Sequence, residues 1–234
     1  MGVELGKISL GNEANLQKYY RFEGNSNDEI ASDNGSDTLI TYSIANGKFA
    51  QGAGFGGSSY IDLTGKSPTG ARSYSFWVKS SSASLQTIID ETRGNGNNDG
   101  NLIQLLATGE LRWIIGKSGG GILTLISSDN TLENGVYRHI VLTWDGTTGA
   151  DGAKVYVDGQ EDNTGTVSSA TENTPLDPIR FGAITSSVAT TLSGALDDFA
   201  VFDRELTADE ALKIYKGLLQ VGKPMFFDRG MAIA

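Results

Sequence analysis

The chain of 234 residues has no cysteine, one histidine and a formal net charge of −10 at pH 7. The lack of cysteine excludes disulfides, thiolate nucleophiles and cysteine-ligated zinc, and the negative charge disfavours nucleic acid and anionic lipid as partners. Glycine is abundant, at 31 residues, and proline is scarce, at 4. Many turns of Gly, Asn, Asp and Ser with few prolines are typical of an all-β protein.

The two ends of the chain differ from its centre. Residues 1–15 form a lead-in segment without a charged region followed by an apolar one, so no signal peptide is visible. No apolar run approaches the ~18 residues of a membrane span, and no membrane insertion is predicted. Residues 218–234 form an apolar tail that needs cover from its own domain or from another subunit.

Short strand-like runs separated by turn signals occupy residues 16–217, which we interpret as one domain. The pair Asp158-Gly159 predicts a type I′ hairpin between two of these runs. Many short strands with one late helix favour a sandwich over βαβ units. The predicted strands lie at 19–23, 48–49, 60–63, 73–79, 86–90, 102–106, 111–115, 122–126, 137–144, 154–157, 178–181 and 195–202.

The last predicted strand carries two adjacent acids and leads into a short helix. On a regular strand Asp197 and Asp198 face opposite sides, with Asp198 on the side of Leu196. Thr207 and Glu210 form a capping box that predicts a helix start, and Gly217 can end the helix with a positive φ.

Several of these segments, in this order, resemble the motifs of laminin-G-like domains. The matching segments are YYRFEG at 19–24, YIDL at 60–63, SYSFWVK at 73–79, GVYRHIVLTWDG at 135–146, KVYVDG at 154–159 and the closing strand and helix at 193–217. The resemblance implies a concanavalin A-like jelly-roll β-sandwich of two antiparallel sheets with one short helix near the C-terminus. It also implies binding of carbohydrate or of a glycan-bearing surface.

The same resemblance implies a structural Ca²⁺ held partly by an acid of the closing strand. The loop at 23–35 is dense in the hard oxygens that Ca²⁺ prefers, although its spacing does not match an EF-hand. In this fold the first and last strands lie close together, so the loop can converge with the closing strand. The alternative is a polar surface loop without metal. The predicted metal ligands are Glu23, Asn25, Asp28, Asp33 and Asp198.

Catalysis is disfavoured by the spacing of the acids. Glycoside hydrolases need two carboxylates ~5–5.5 Å apart for retention, and no alternating E-x-D-x-x-E strand is present. The segment GKSGG at 116–120 matches G-x-S-x-G but precedes more β-like sequence, which predicts a turn instead of a nucleophile elbow. His139 is predicted to be a packing residue. Trp113 is the tryptophan predicted to be most exposed, and therefore a candidate to stack on a sugar, against the alternative that it lies in the core.

Three classes of function remain open at this point. The first is a non-catalytic, calcium-stabilised binding module for carbohydrate or a glycan-bearing surface. The second is a structural subunit of a virion, appendage or surface layer that makes protein contacts through residues 218–234. The third, a glycoside hydrolase, is the least favoured. The first two predict an extracellular, cell-surface or virion-associated protein.

Overall fold

The computed structural model describes residues 8–9, 15–92, 99–117, 120–169, 171–175, 177–185, 190–217 and 219–220. These residues form seventeen strands and one α-helix. The strands are β1 Ile8–Ser9, β2 Leu16–Tyr20, β3 Ser36–Thr38, β4 Thr41–Ser43, β5 Gly52–Phe55, β6 Tyr60–Asp62, β7 Arg72–Ser80, β8 Gln86–Asp90, β9 Asn101–Leu105, β10 Leu111–Lys117, β11 Gly120–Ile126, β12 Arg138–Trp144, β13 Gly149–Val157, β14 Gln160–Val167, β15 Arg180–Phe181, β16 Gly194–Phe202 and β17 Leu219–Gln220. The helix is α1 Ala208–Tyr215, and a 3-10 turn spans Ile44–Asn46.

The strands build two antiparallel sheets that face each other. One has the order β11-β10-β9-β8-β15-β6-β3, and the other has the order β14-β13-β12-β7-β16-β5-β4, with β2 added beside β16. The prediction of a jelly-roll β-sandwich with one short helix is therefore confirmed. The positive φ of both Asp158 (50°) and Gly159 (77°) fits the predicted type I′ turn between β13 and β14.

Strand β7 shows how the alternation of the sequence divides the molecule into two apolar layers. Tyr74, Phe76 and Val78 point into the main core between the sheets, whereas Ser75 and Trp77 lie on the outer face of the same sheet because successive residues alternate sides. A second, smaller core forms on that outer face, where Ala211 and Ile214 of α1 pack on side chains of β2, β12, β13 and β16.

The helix begins and ends as its sequence predicts. The Thr207 hydroxyl accepts a hydrogen bond from the Glu210 backbone N–H (3.3 Å), and the Glu210 carboxylate accepts one from the Thr207 N–H (2.9 Å). Gly217 follows with a φ of 65°. The capping box satisfies donors that a bare helix start would leave unpaired.

The regular alternation predicted for β16 is wrong at its acids, because the strand contains a β-bulge. Asp197 pairs with Trp77 and Ala200 pairs with Ser75, so two residues oppose one, and Asp198 takes a φ of 47°. The bulge accommodates the extra residue, so that Phe199 lies in the main core and Ala200 lies in the outer one. Consequently Asp198 does not share the side of Leu196.

The lead-in and the tail meet along their backbones. Ile8 pairs with Leu219 and Ser9 with Gln220 in a parallel two-stranded sheet. Residues 221–234, which carry most of the predicted apolar tail, lie outside the described residues.

Candidate ligand-binding site

The carboxylate of Asp28 organises the loop in which the metal site was predicted. It accepts hydrogen bonds from the backbone N–H groups of Tyr19 (3.0 Å), Ile30 (3.0 Å) and Ala31 (3.1 Å). The side chain is almost fully buried. These hydrogen bonds occupy the carboxylate oxygens that a metal ion would need. They account for the burial of this acid without a bound metal.

Asp33 is held by a buried ammonium instead. Its carboxylate lies 2.5 Å from Lys18 Nζ and accepts from the Thr64 hydroxyl (2.6 Å) and the Thr64 N–H (2.9 Å). Burial raises the pKa of Asp33, but the hydrogen bonds from Lys18 and Thr64 outweigh it and bring the pKa below its ordinary value. A lysine that is already paired with the carboxylate neutralises the charge that Ca²⁺ would otherwise balance.

The other three predicted ligands have separate roles. Glu23 accepts from the Gln51 N–H (3.0 Å), Asn25 from the Asn27 N–H (2.9 Å), and Asp198 from the Tyr19 hydroxyl (2.7 Å). No three His, Asp or Glu side chains among the described residues are grouped so that they could hold a metal ion. The donor set therefore does not fit a Ca²⁺ cage, and calcium binding stays a prediction.

Trp113 is not exposed, so the hypothesis that it stacks on a sugar is wrong and the alternative, a place in the core, is confirmed. Its side chain is 0% exposed and lies in the main core, edge-on to Tyr74 at 5.9 Å between ring centroids. Its indole N–H points to the Asn101 side-chain oxygen at 3.3 Å. The opposite sheet covers the centre of β10, where Tyr74 of β7 contacts Trp113.

A cleft lies instead on the outer face of the eight-stranded sheet, beside the C-terminal end of α1. It has a volume of ≈ 300 Å³, and we call it the Trp77 cleft. It joins the segment after the 3-10 turn, the centre of β7 and the residues that end the helix. Its lining residues are Lys48, Phe49, Trp77, Tyr215, Lys216 and Gly217.

Aromatic rings form the floor and one side of the Trp77 cleft. Trp77 is buried, and its ring centroid lies 5.7 Å from Phe49, 5.7 Å from Tyr215 and 5.0 Å from His139. Phe49 meets Trp77 edge-on and is 51% exposed. An exposed ring on a buried tryptophan gives a ligand an apolar surface that needs little ordering on binding.

The wall of the cleft that carries Lys48 and Phe49 is fixed by Asp197. One oxygen of this buried carboxylate accepts from the Lys48 N–H (2.7 Å) and the Phe49 N–H (3.2 Å), and the other accepts from the Asp198 N–H (3.0 Å). Burial, and next the charge of Asp198, raise the pKa of Asp197 to about 7. Asp197 thus acts on the cleft through the backbone that it holds.

Lys48 and Phe49 correct the sequence interpretation, which placed them in a strand. They follow the 3-10 turn and lie outside the described strands. The available signal was an aromatic residue after Gly47 and Lys48, with a Gly-rich segment behind it. That pattern indicates an exposed loop aromatic more than it indicates a core strand.

His139 supports the cleft from beneath, as a packing residue. Its Nε2 lies 3.0 Å from the Ser75 hydroxyl, and its ring stacks near Trp77 and Tyr215. Burial, reinforced by the charge of Lys48, lowers the pKa of His139 to about 3. The imidazole is therefore neutral at physiological pH.

The two-sheet sandwich closed by a short helix defines a jelly-roll domain of the concanavalin A-like class. A laminin G-type family model, described as the concanavalin A-like lectin/glucanases superfamily, matches residues 55–211, and the chain belongs to this family. Comparison with curated protein sequences gave no match. No helix in the described ranges is long and apolar enough to cross a membrane.

Solved structures with a similar fold include a binding domain of one toxin and a structure of another. The binding domain of Paraclostridial Mosquitocidal Protein 1 is 18% identical, with a TM-score of 0.67 over 88% of this chain and 52% of that one. A botulinum neurotoxin type C structure, whose title makes cell entry dependent on interaction with two ganglioside molecules, is 17% identical, with a TM-score of 0.68 over 89% and 53%. The chain thus spans about half the length of these toxin domains.

A third similar structure matches over its whole length. Domain 4 of AbnA, an extracellular arabinanase from Geobacillus stearothermophilus, was solved in complex with arabinotriose. It is 19% identical, with a TM-score of 0.63 over 86% of this chain and 98% of that domain. At these identities the likeness shows a shared fold.

Proposed function

We propose that the chain is a non-catalytic binding module for carbohydrate and that the Trp77 cleft is its binding site. The observation that carries the proposal is an exposed Phe49 on a buried Trp77, with two ammonium groups at the rim. A sugar ring can place its C–H face on an aromatic ring and its hydroxyls on such donors. The fold shared with an arabinotriose-binding domain supports the same function.

Isothermal titration with a panel of oligosaccharides tests the proposal. Phe49→Ala should weaken binding about tenfold, since full burial of a Phe side chain contributes ~1.5–3 kcal/mol and about half of Phe49 is left to bury. Leu39→Ala is the matched control, because Leu39 is 74% exposed but does not line the cleft. Equal affinities for both variants, or no glycan bound by the parent protein, would contradict the proposal.

The proposal that the module is not an enzyme follows from the residues that line the cleft. None of the described lining residues is a carboxylate, whereas glycoside hydrolysis needs a pair of carboxylates on either side of the scissile bond. Incubation with laminarin, xylan, agarose and sialosides should release no more reducing sugar than a heat-treated control. Release that a single Asp or Glu substitution abolishes would overturn it.

Calcium stabilisation, which the family resemblance implied, stays a prediction with its own test. A cation that binds only the folded state stabilises it by about 2.7 kcal/mol at a hundredfold excess over Kd. Thermal melting in EGTA and after addition of Ca²⁺ measures this directly. An unchanged melting temperature would contradict the prediction and agree with the paired carboxylates of Asp28 and Asp33.

A second candidate function is assembly into a virion, appendage or surface layer. Leu39 and Ile44, which are 74% and 78% exposed, lie in one short segment of the sequence with Phe49. Large apolar side chains left in water are candidates for protein contacts. Ile44→Asp should then convert an oligomer into a monomer in light scattering. A protein that is monomeric before the change would leave this candidate, and the predicted contacts of residues 218–234, without support. Both functions place the protein outside the cell or on a particle surface.

A further inference from the structure

The rim of the Trp77 cleft is positively charged, whereas the whole molecule carries a net negative charge. Lys48 and Lys216 line the cleft and are exposed, while the chain carries a net charge of −10. Neither lysine takes part in the ion pairs of the described residues. Those pairs engage Lys18, Arg21, Arg72, Arg138, Lys154, Arg180, Arg204 and Lys213.

The position of one ammonium is set by the aromatic floor. Lys48 Nζ lies 4.3 Å from the centroid of the Trp77 ring, a cation–π contact that keeps the charge over the floor. On the same side of the sheet, Lys79 Nζ donates to the Ala45 carbonyl (2.7 Å) and lies over the Tyr137 ring. Lys79 is therefore already bound to the turn that precedes Lys48 and does not add a charge to the cleft lining.

The acids nearest the cleft do not cancel these charges. Asp197 is almost fully buried, and its carboxylate accepts hydrogen bonds from three backbone N–H groups. Asp198 accepts from Tyr19. Asp158, beside the Gly159 turn that approaches Tyr215, pairs with Arg138. None of the three lines the cleft. A ligand in the cleft therefore meets two cations and no carboxylate from the described lining.

We propose that the Trp77 cleft selects acidic sugars, in which a ring carries a carboxylate or a sulfate. The ring packs on Phe49 and Tyr215, and the negative group lies between Lys48 and Lys216. An ammonium is a point charge without the planar fork of arginine, so the site reads the charge and does not discriminate between carboxylate and sulfate. The cleft volume is near the lower end of the range for ligand pockets, ~300–1,000 Å³, which suits a short glycan.

This inference rests on the proposed carbohydrate binding, and matched ligands separate the two. Titration compares oligogalacturonate, a sulfated galactose oligomer and neutral galactose oligomers of equal length, at low and at high salt. Both acidic oligomers should bind at least about tenfold more tightly than the neutral one at low salt, and the difference should shrink at high salt because ions screen the attraction. Preference for only one acidic oligomer would overturn the proposed indifference between the two groups.

Lysine variants give the second arm. Lys48→Met and Lys216→Met should each weaken acidic ligands about three- to tenfold and neutral ligands by a smaller factor, so that the preference for acidic over neutral oligomers falls in both variants. Lys66→Met is the matched control, since Lys66 is exposed, joins no described ion pair and lies outside the cleft. Equal binding of neutral and acidic oligomers, lost in Phe49→Ala, would overturn the inference and leave the proposed function standing. No binding of any oligomer would overturn both.

Discussion

Two cation–tryptophan contacts involve residues of β7 and differ in their surroundings. Arg72 Cζ lies 5.0 Å from the Trp144 ring, and Lys48 Nζ lies 4.3 Å from the Trp77 ring. Arg72 is the first of the nine residues of β7, and Trp77 lies near the centre of the strand. The first contact is sealed inside the sandwich and the second is open to solvent.

The partners of each cation decide what its contact does. Arg72 is 0% exposed and donates to the Glu172 carboxylate (2.7 and 2.9 Å), to Asn101 (3.0 and 3.2 Å) and to the Gly70 carbonyl (2.8 Å). Lys48 has no described carboxylate partner. A cation whose donors are all used contributes to stability, while one with free donors beside an exposed ring can recognise a ligand.

Breaking the sealed contact should have the largest effect. Arg72→Met removes the countercharge of the buried Glu172 carboxylate, which should cost about 3–5 kcal/mol of the free energy of unfolding. Of the described donors, the Gly70 N–H still donates to Glu172 and the Trp113 N–H still donates to Asn101. Urea denaturation measures the loss. The double variant Arg72→Met/Glu172→Gln should recover part of it, because the unpaired charge is gone. A loss below about 1 kcal/mol would mean that the network contributes little.

A pH effect should come from the group beneath the open contact. Above pH ~6.5 the His139 imidazole is neutral in the folded and the unfolded chain. As the pH falls, the unfolded chain binds a proton that the folded chain, with a pKa of about 3 for His139, does not. The stability contributed by the neutral imidazole is therefore lost with falling pH, at up to about 1.4 kcal/mol per unit.

His139→Phe should make the free energy of unfolding in urea fall less steeply with acid between about pH 7 and about pH 4. Asp197→Asn is the common background for both proteins, because the raised pKa of Asp197 changes stability in the opposite sense over this range. Ser75→Ala removes the hydrogen-bond partner of the imidazole but keeps the titrating group, so it should retain the slope. An unchanged slope in His139→Phe would show that other groups set the acid sensitivity.

The carboxylate that holds the cleft wall should have a smaller effect on stability and a clear effect on binding. Asp197→Ala removes the acceptor of the Lys48 and Phe49 N–H groups, which should cost about 1–3 kcal/mol and weaken glycan binding as Phe49→Ala does. Asp197→Asn keeps one acceptor oxygen and should retain more of both. Full binding by Asp197→Ala would show that the wall does not need this anchor.

Removing the open cation should affect stability least. Lys48→Met should change the free energy of unfolding by at most about 1 kcal/mol, since an exposed cation–π contact contributes about that much. Thermal melting of Lys48→Met beside Arg72→Met tests the comparison directly. Similar shifts in the two variants would contradict the distinction between the sealed and the open contact.

The sandwich was predictable because its signals are local. The alternation in β7, the Asp158-Gly159 turn and the Thr207–Glu210 capping box each lie within a few residues and agree with the structure. Burial of Trp113 was not predictable in this way, since the flanking turns say nothing about the sheet that covers it. The burial of Trp113 depends on residues of the facing sheet, such as Tyr74.

The cleft was not predictable, because it depends on contacts between distant parts of the chain. Asp197 holds the backbone of Lys48, 149 residues earlier in the sequence, and α1 supplies Tyr215 and the following Lys216. The predicted metal ligands failed to gather for a similar reason. Lys18, a residue outside the acidic loop, occupies Asp33, and nothing in the spacing of the loop acids indicates it.

The bulge in β16 has a consequence for insertions and deletions. Elsewhere along this strand, the loss of one residue would turn every following side chain to the opposite face of the sheet. At Asp197 and Asp198 the strand already carries one residue more than its partner β7. A chain one residue shorter at this point would still direct Phe199 inward and Ala200 outward. The bulge is thus a site where the length of β16 can change while the identity of its two faces is kept.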